Sequence, residues 1–153
     1  RPHIARALLE KGYVESINEA FEKYLARGRP AYFRKEKLLP EEAIKEIRRA
    51  GGLPVLAHPI YLGMDFGQLD LLLLKLKSYG LIGIEAYYSD NTVEDTVRCI
   101  ELAEKHGLVA TGGSDFHGRF KPDIRLGTGR GQLKVPYEAL QQMKEALRHN
   151  TGF

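Results

Sequence analysis

A chain of 153 residues with 43% hydrophobic and 28% charged positions is long enough to bury a core and too apolar to stay disordered, so it reads as a globular domain. Its longest apolar run, Leu71 to Leu74, falls far short of a membrane span and is cut by Lys75, and no secretory leader is legible. A net charge of +3 is too weak an argument for nucleic acid yet compatible with phosphorylated substrates, while the single Cys99 cannot form an internal disulfide and fits a reducing, cytoplasmic compartment.

The chain opens at Arg1 rather than Met, inside what reads as a motif, and the expectation is a piece of a longer protein. Residues His3 to Lys11 predict a helix with Ile4, Ala7 and Leu8 on one stripe and Gly12 as its stop. Ser16-Ile17-Asn18-Glu19 is a capping box that opens a second helix, running to about Arg27 and closed by Gly28. With little strand signal, residues 1–39 read as a small helical lobe. It ends in an irregular segment mixing Arg29, Arg34 and Lys35 with Tyr32 and Phe33, a composition able to hold phosphate and stack a base, or to form a solvated basic loop over the core.

From Pro40 to the end, residues 40–153, the rhythm becomes that of an α/β fold. Pro40-Glu41-Glu42 starts a helix with acids where the dipole favours them, and Gly51-Gly52 ends it. Leu53 to Ala57 predicts a short strand ending at His58-Pro59, and a leucine-rich helix follows from about Gln68 to Tyr79. Because Leu69, Leu71, Leu72, Leu73, Leu74 and Leu76 go most of the way around that helix, it calls for burial on more than one side. A strand over Ile82 to Tyr87, a Thr92-capped helix to His106 and a strand over Leu108 to Gly112 come next, and Pro136 starts a closing helix through about His149. Strands near 53, 82 and 108 with helices between them are successive βαβ units and predict a parallel sheet.

Sites in such sheets lie beyond the carboxyl ends of the strands. His58 follows the first strand, and Asp115 and His117 follow the third within Gly113-Ser114-Asp115-Phe116-His117-Gly118. A carboxylate and an imidazole two residues apart on extended backbone leave the same face, and that donor pair suits zinc, manganese or iron better than calcium or magnesium. Taken alone the segment is also ordinary turn chemistry; three candidate ligands at one end of one sheet make the stronger case. Glu85, in the middle of an apolar strand, requires a partner: a ligand to hold, a substrate contact or a structural bond. Ser89 and Asp90 share that rim, where capping or turn-making also accounts for them. Gly127-Thr128-Gly129-Arg130-Gly131 lacks the dinucleotide fingerprint and its strand-to-helix setting, and reads as a loop near the site mouth. His106 and His149 fall in last helical turns, where a cation suits the dipole.

Together, Arg1-Pro2-His3-Ile4-Ala5-Arg6-Ala7, Ala57-His58-Pro59, Gly83-Ile84-Glu85 and the 113–118 segment resemble the PHP (polymerase and histidinol phosphatase) superfamily. The resemblance covers nearly the whole chain, and is greatest to the stand-alone phosphoesterases acting on nucleoside 3′,5′-bisphosphates and short oligonucleotides. It implies the C-terminal part of a distorted seven-stranded β/α barrel, preceded by a helical inserted lobe that covers substrate. It implies His58, Asp115 and His117 as catalytic metal ligands, the last two on different ions, with up to three manganese, zinc or iron ions in a full-length enzyme. Arg1, His3, Arg29 and Arg34 are the expected contacts to a phosphorylated substrate, small molecule or oligonucleotide. The family's first half, which supplies a His-x-His and further ligands, has no counterpart in these residues. The expected partner is that missing half or a second copy of the chain, with no membrane involved, and the piece alone is expected to be inactive. The alternative from a different class is a non-catalytic half-barrel that binds single-stranded nucleic acid.

Overall fold

The computed structural model describes residues 2–33 and 37–150. The chain forms two compact units, Arg1–Lys37 and Leu38–Phe153. The first is helical: α1 (Pro2–Glu10), then α2 (Ile17–Ala20), which passes into a wider π-helical turn over Phe21–Leu25. The predicted second helix is therefore α-helical only in its first turn. Its last turn is closed by the i+5 bond from Ala26 N–H to Phe21 O at 2.8 Å, and Phe21, Tyr24 and Leu25 all pack with Ala5, Val14 and Ala20. The predicted cap is half built. Ser16 Oγ accepts from Glu19 N–H at 3.1 Å, but the Glu19 carboxylate takes the Glu15 N–H at 2.5 Å instead of that of Ser16.

The second unit opens with α3 (Pro40–Arg49) and β1 (Val55–Leu56), followed by a 3-10 turn over Pro59–Leu62 and α4 (Phe66–Ser78). Then come β2 (Gly83–Tyr88), α5 (Val93–His106), β3 (Val109–Gly113) and α6 (Tyr137–Asn150). The three strands form one parallel sheet in the order β1-β2-β3, the succession of βαβ units that the periodicity predicts. Helix α4 begins two residues before the predicted Gln68, at a reciprocal cap: Asp65 Oδ1 accepts from Gln68 N–H at 2.8 Å and Gln68 Oε1 accepts from Asp65 N–H at 3.1 Å.

The core sits between the sheet and helices α3, α4 and α5, built from Ile44, Leu69, Leu73, Leu76, Ile84, Ala86, Cys99 and Leu102. Leu69, Leu73 and Leu76 are the buried side of α4, whereas Leu71 and Leu74 are 68% and 58% exposed. His106 does more than meet the end of a helix dipole: it is buried and its Nε2 lies 2.6 Å from Asp70 Oδ1, a tie between α5 and α4 that Lys105 reinforces at the other oxygen, also at 2.6 Å. Among the described residues no helix is long and apolar enough to cross a membrane.

One irregularity in the sheet decides what reaches the site. Glu85 pairs with Thr111, but Tyr87 pairs with Gly112 and Tyr88 with Gly113, so β2 carries one extra residue at Ala86. Side chains alternate faces along a regular strand, which would put residues 85 and 88 on opposite sides. A bulge between them reverses that parity.

Candidate active site

His58 lies just past β1, and its backbone is left-handed, with φ 50° and ψ 50°. Asp115 lies two residues past β3 with φ 53°. They are the two non-glycine residues with positive φ among the described residues. Such a conformation costs on the order of 1–3 kcal/mol for a residue with a Cβ, and persists where the surroundings impose it, as at functional sites. The expectation that Asp115 and His117 share a face because their backbone is extended is thus corrected: a left-handed turn brings them together.

The strand ends converge on one cluster. His58 Nε2 is 3.9 Å from Asp115 Oδ1, and His117 Nδ1 is 3.4 Å from the same oxygen. Glu85 reaches across from β2, where its Oε2 accepts the His58 backbone N–H at 2.9 Å and lies 3.0 Å from His58 Nδ1. That nitrogen is buried and off the ideal hydrogen-bond direction, and Glu85 is the acceptor it faces. His117 Nδ1 sits 2.7 Å from the Asp115 carbonyl oxygen. An acceptor thus faces Nδ1 of each imidazole, at hydrogen-bond distance and direction for His117 and at 3.0 Å without a formed hydrogen bond for His58, and in both rings Nε2 is the nitrogen left for a further partner.

Tyr88, brought to the same side as Glu85 by the bulge, places its hydroxyl 3.3 Å from Asp115 Oδ2 and 3.2 Å from Asp90 Oδ2. Burial first, then its hydrogen bond with Tyr61 and the two nearby carboxylates, push the Tyr88 phenol far above its ordinary pKa, so it is a fixed donor. Lys121 pairs with Asp115 Oδ2, and this hydrogen bond holds the Asp115 carboxyl below its usual range. Asp90 accepts from Tyr61 at 2.5 Å and pairs with Arg130, which lower its carboxyl to about 2. The Tyr61 ring lies 6.2 Å from that of His58, and the His58 and Tyr88 rings are 4.7 Å apart.

The glycine-rich 127–131 segment is fastened to this end of the sheet. Gly127 N–H donates to Ser114 Oγ at 3.1 Å, Ser89 Oγ donates to Ser114 O at 3.0 Å, and Arg130 Nε meets Asp123 at 3.0 Å besides its bond to Asp90. Gly129 must lack a Cβ, since one would stand 2.4 Å from Ser89 Oγ. Ser89 and Asp90 are thus tied to the site and its bordering loop, beyond the capping or turn-making their sequence also allows.

Of the predicted site residues, the structure brings His58, Asp115 and His117 into one cluster. His3 and Arg29 are exposed residues of the first unit, and Arg1 and Arg34 lie outside the described residues. Tyr61, Tyr88, Lys121 and Arg130 are the members that sequence reasoning missed. A tyrosine at the end of a strand already holding Glu85, and a lysine six residues beyond Asp115, were the available signals.

The donor types, two imidazoles and a carboxylate, fit a divalent transition ion. Their number does not: among the described residues no group of three or more His, Cys, Asp or Glu side chains is arranged to hold a metal ion by itself.

No protein-family model matches the chain. It is 34% identical over 151 residues to the 5′-3′ exoribonuclease Rnm of Escherichia coli, covering 99% of this chain and 51% of that protein. It is 36% identical over 117 residues to a 3′,5′-nucleoside bisphosphate phosphatase of Chromobacterium violaceum, covering 76% of this chain and 41% of the relative. A Bifidobacterium adolescentis structure assigned as a metal-dependent phosphoesterase superposes with a TM-score of 0.66 at 29% identity, over 93% of this chain and 48% of that one. The chain thus spans about half the length, or less, of the relatives it matches. The parallel α/β sheet, the matched sequences and the superposition agree in their likeness to the C-terminal part of PHP-type phosphoesterases.

Proposed function

We propose that this chain supplies part of the active centre of a metal-dependent phosphoesterase acting on phosphate esters of nucleotides, nucleoside 3′,5′-bisphosphates or short oligonucleotides. The observation that carries the reading is the way both imidazoles are held. Glu85 faces His58 Nδ1 and the Asp115 carbonyl faces His117 Nδ1, the acceptor-behind-histidine arrangement that orients metal ligands and raises their basicity. His58 and His117 would bind through Nε2 and Asp115 through its carboxylate, to manganese, zinc or iron. When bound, such ions supply Lewis-acid polarisation of the phosphoryl oxygens. The chain's own residues do the positioning: Glu85 orients the His58 ring, Tyr88 and Lys121 fix the Asp115 carboxylate, and Asp90 with Arg130 closes one flank.

Three donors make a share of a shell, so the reading includes a donor from outside these residues. The parallel strands would be the last part of a distorted seven-stranded barrel, whose other half, or a second copy of the chain, completes the ligands and covers Leu71 and Leu74 of α4. Arg1, His3, Arg29 and Arg34 would be the contacts to the substrate's phosphates, a guanidinium fork being matched to that geometry.

Phosphate release from adenosine 3′,5′-bisphosphate, measured in the complete enzyme with manganese, tests the reading. Asp115→Ala is expected to cut turnover by at least about 10- to 100-fold, and chelation to abolish it. Wild-type turnover in the variant, or indifference to chelator, contradicts the assignment. Salt-dependent oligonucleotide binding by metal-free protein would favour the non-catalytic module instead.

A further inference from the structure

Behind the wall formed by Tyr88 and Arg130 lies a cavity of about 310 Å³, bounded by the end of β2, the first turns of α5 and residues 130–134. Tyr88 and Arg130 belong to both places, since the Tyr88 hydroxyl touches Asp115 and Arg130 holds Asp90. The apolar part of its lining is Val93, Val97 and Leu133 beside the two tyrosines that end β2, and Val93 is 83% exposed. No carboxylate lines the cavity, and two cations, Arg130 and Lys134, do. Arg130 is immobilised: its Nε meets Asp123 and one Nη meets Asp90, while the other Nη has no partner among the described residues. The Thr96 hydroxyl and the Gln132 amide line the same space and likewise have no hydrogen-bond partner among the described residues.

This is the composition of a small-molecule pocket: apolar walls, a few unspent polar groups and a rigid cationic plane at the edge. The volume stands at the low end of ligand pockets, which run from roughly 300 Å³ upward, and suits one planar ring system with its sugar. A fixed guanidinium and aromatic or aliphatic walls sandwich a nucleobase regardless of its identity, and an amide and a hydroxyl can meet its edge. We infer that the cavity seats the base and ribose of the substrate nucleoside, with the reacting phosphate directed past Tyr88 to the His58–Asp115 cluster. The inference rests on the phosphoesterase reading and deepens it, because it makes the leaving or retained group a nucleoside and leaves a plain sugar phosphate without a seat.

Nuclear magnetic resonance on the isotopically labelled chain separates the two claims, with adenosine, which carries no phosphate, as the probe. Adenosine is expected to shift the backbone amides of residues 92–97 and 130–134. Val97→Trp, which fills the cavity from an exposed position on α5, is expected to weaken that response about tenfold or more, with the rest of the spectrum reporting an intact fold. Gln132→Ala, which leaves the packing untouched, is expected to weaken it about fivefold. The metal reading is tested separately, by chelation of the complete enzyme, whatever adenosine does. Adenosine that leaves the 92–97 and 130–134 amides unmoved, or that binds Val97→Trp as well as wild type, overturns the nucleoside seat. Turnover that is indifferent to chelator in the complete enzyme overturns the metal reading alone.

Discussion

At Asp115 the backbone and the side chain make opposing demands. The left-handed conformation favours glycine, and the chain places a carboxylate there instead, where Lys121, Tyr88 and two imidazoles surround it. Comparing Asp115→Gly with Asp115→Ala isolates the backbone, because both lose the carboxylate. The glycine variant should be more stable by about 1 kcal/mol in urea unfolding, following from the cost of a Cβ in that region; equal midpoints would mean the turn is not strained. Asp90 gives a pH signature. Its carboxyl ordinarily titrates at 3.8 and is lowered to about 2 in the fold, by Tyr61 first and then Arg130. A depressed folded pKa contributes stability above the unfolded value and loses it as pH falls through the folded one. The gap in unfolding midpoint between wild type and Asp90→Asn should therefore be full above about pH 4 and narrow toward pH 2. A gap independent of pH would remove Asp90 from the charged network. His58, Asp115 and His117 were visible as residue types beyond strand ends, and Glu85, an acid within an apolar strand, called for a partner without the sequence saying which.

Among the elements, strands and helices were legible from periodicity, glycine stops and caps; the bulge in β2 was not. Alternation assigns Glu85 and Tyr87 to one face, whereas the extra residue at Ala86 brings Tyr88 beside Glu85. Nothing local in Glu85-Ala86-Tyr87-Tyr88 distinguishes the two registers, since the choice is made by how closely β3 approaches. Gly112 permits that approach: a Cβ there would stand 2.5 Å from both Tyr87 Cβ and Tyr87 O. Because backbone on two strands cannot both yield, Gly112→Ala should destabilise the unit by about 1–3 kcal/mol or more and displace Tyr88 from Asp115. A shifted thermal midpoint checks the first, and an unperturbed one would show the strands to be less tightly apposed than this. The π-helical turn after Ala20 escaped the sequence for the same reason: Phe21-Glu22-Lys23-Tyr24-Leu25 fits either helix locally, and packing onto Ala5 and Val14 selects the wider one.

For the whole molecule, composition and the order of motifs pointed to one parallel α/β sheet with a helical segment before it, and the same order of motifs underlies the likeness to longer phosphoesterases. The leucines encircling α4 foretold a helix with more apolar surface than one sheet covers; Leu71 and Leu74 are that surplus. Sequence could not reveal that Lys121 and Arg130, from the segment after β3, would be the cations that answer Asp115 and Asp90, because loop conformation fixes those pairs. The central claim is that the two anchored imidazoles and Asp115 are metal donors. Its most direct test is a calorimetric titration of manganese or zinc into the metal-free complete enzyme, wild type against His58→Ala and Glu85→Gln. The account predicts uptake by wild type, weakening of about 10- to 100-fold in Glu85→Gln and a further loss in His58→Ala. Uptake that neither substitution alters would contradict it.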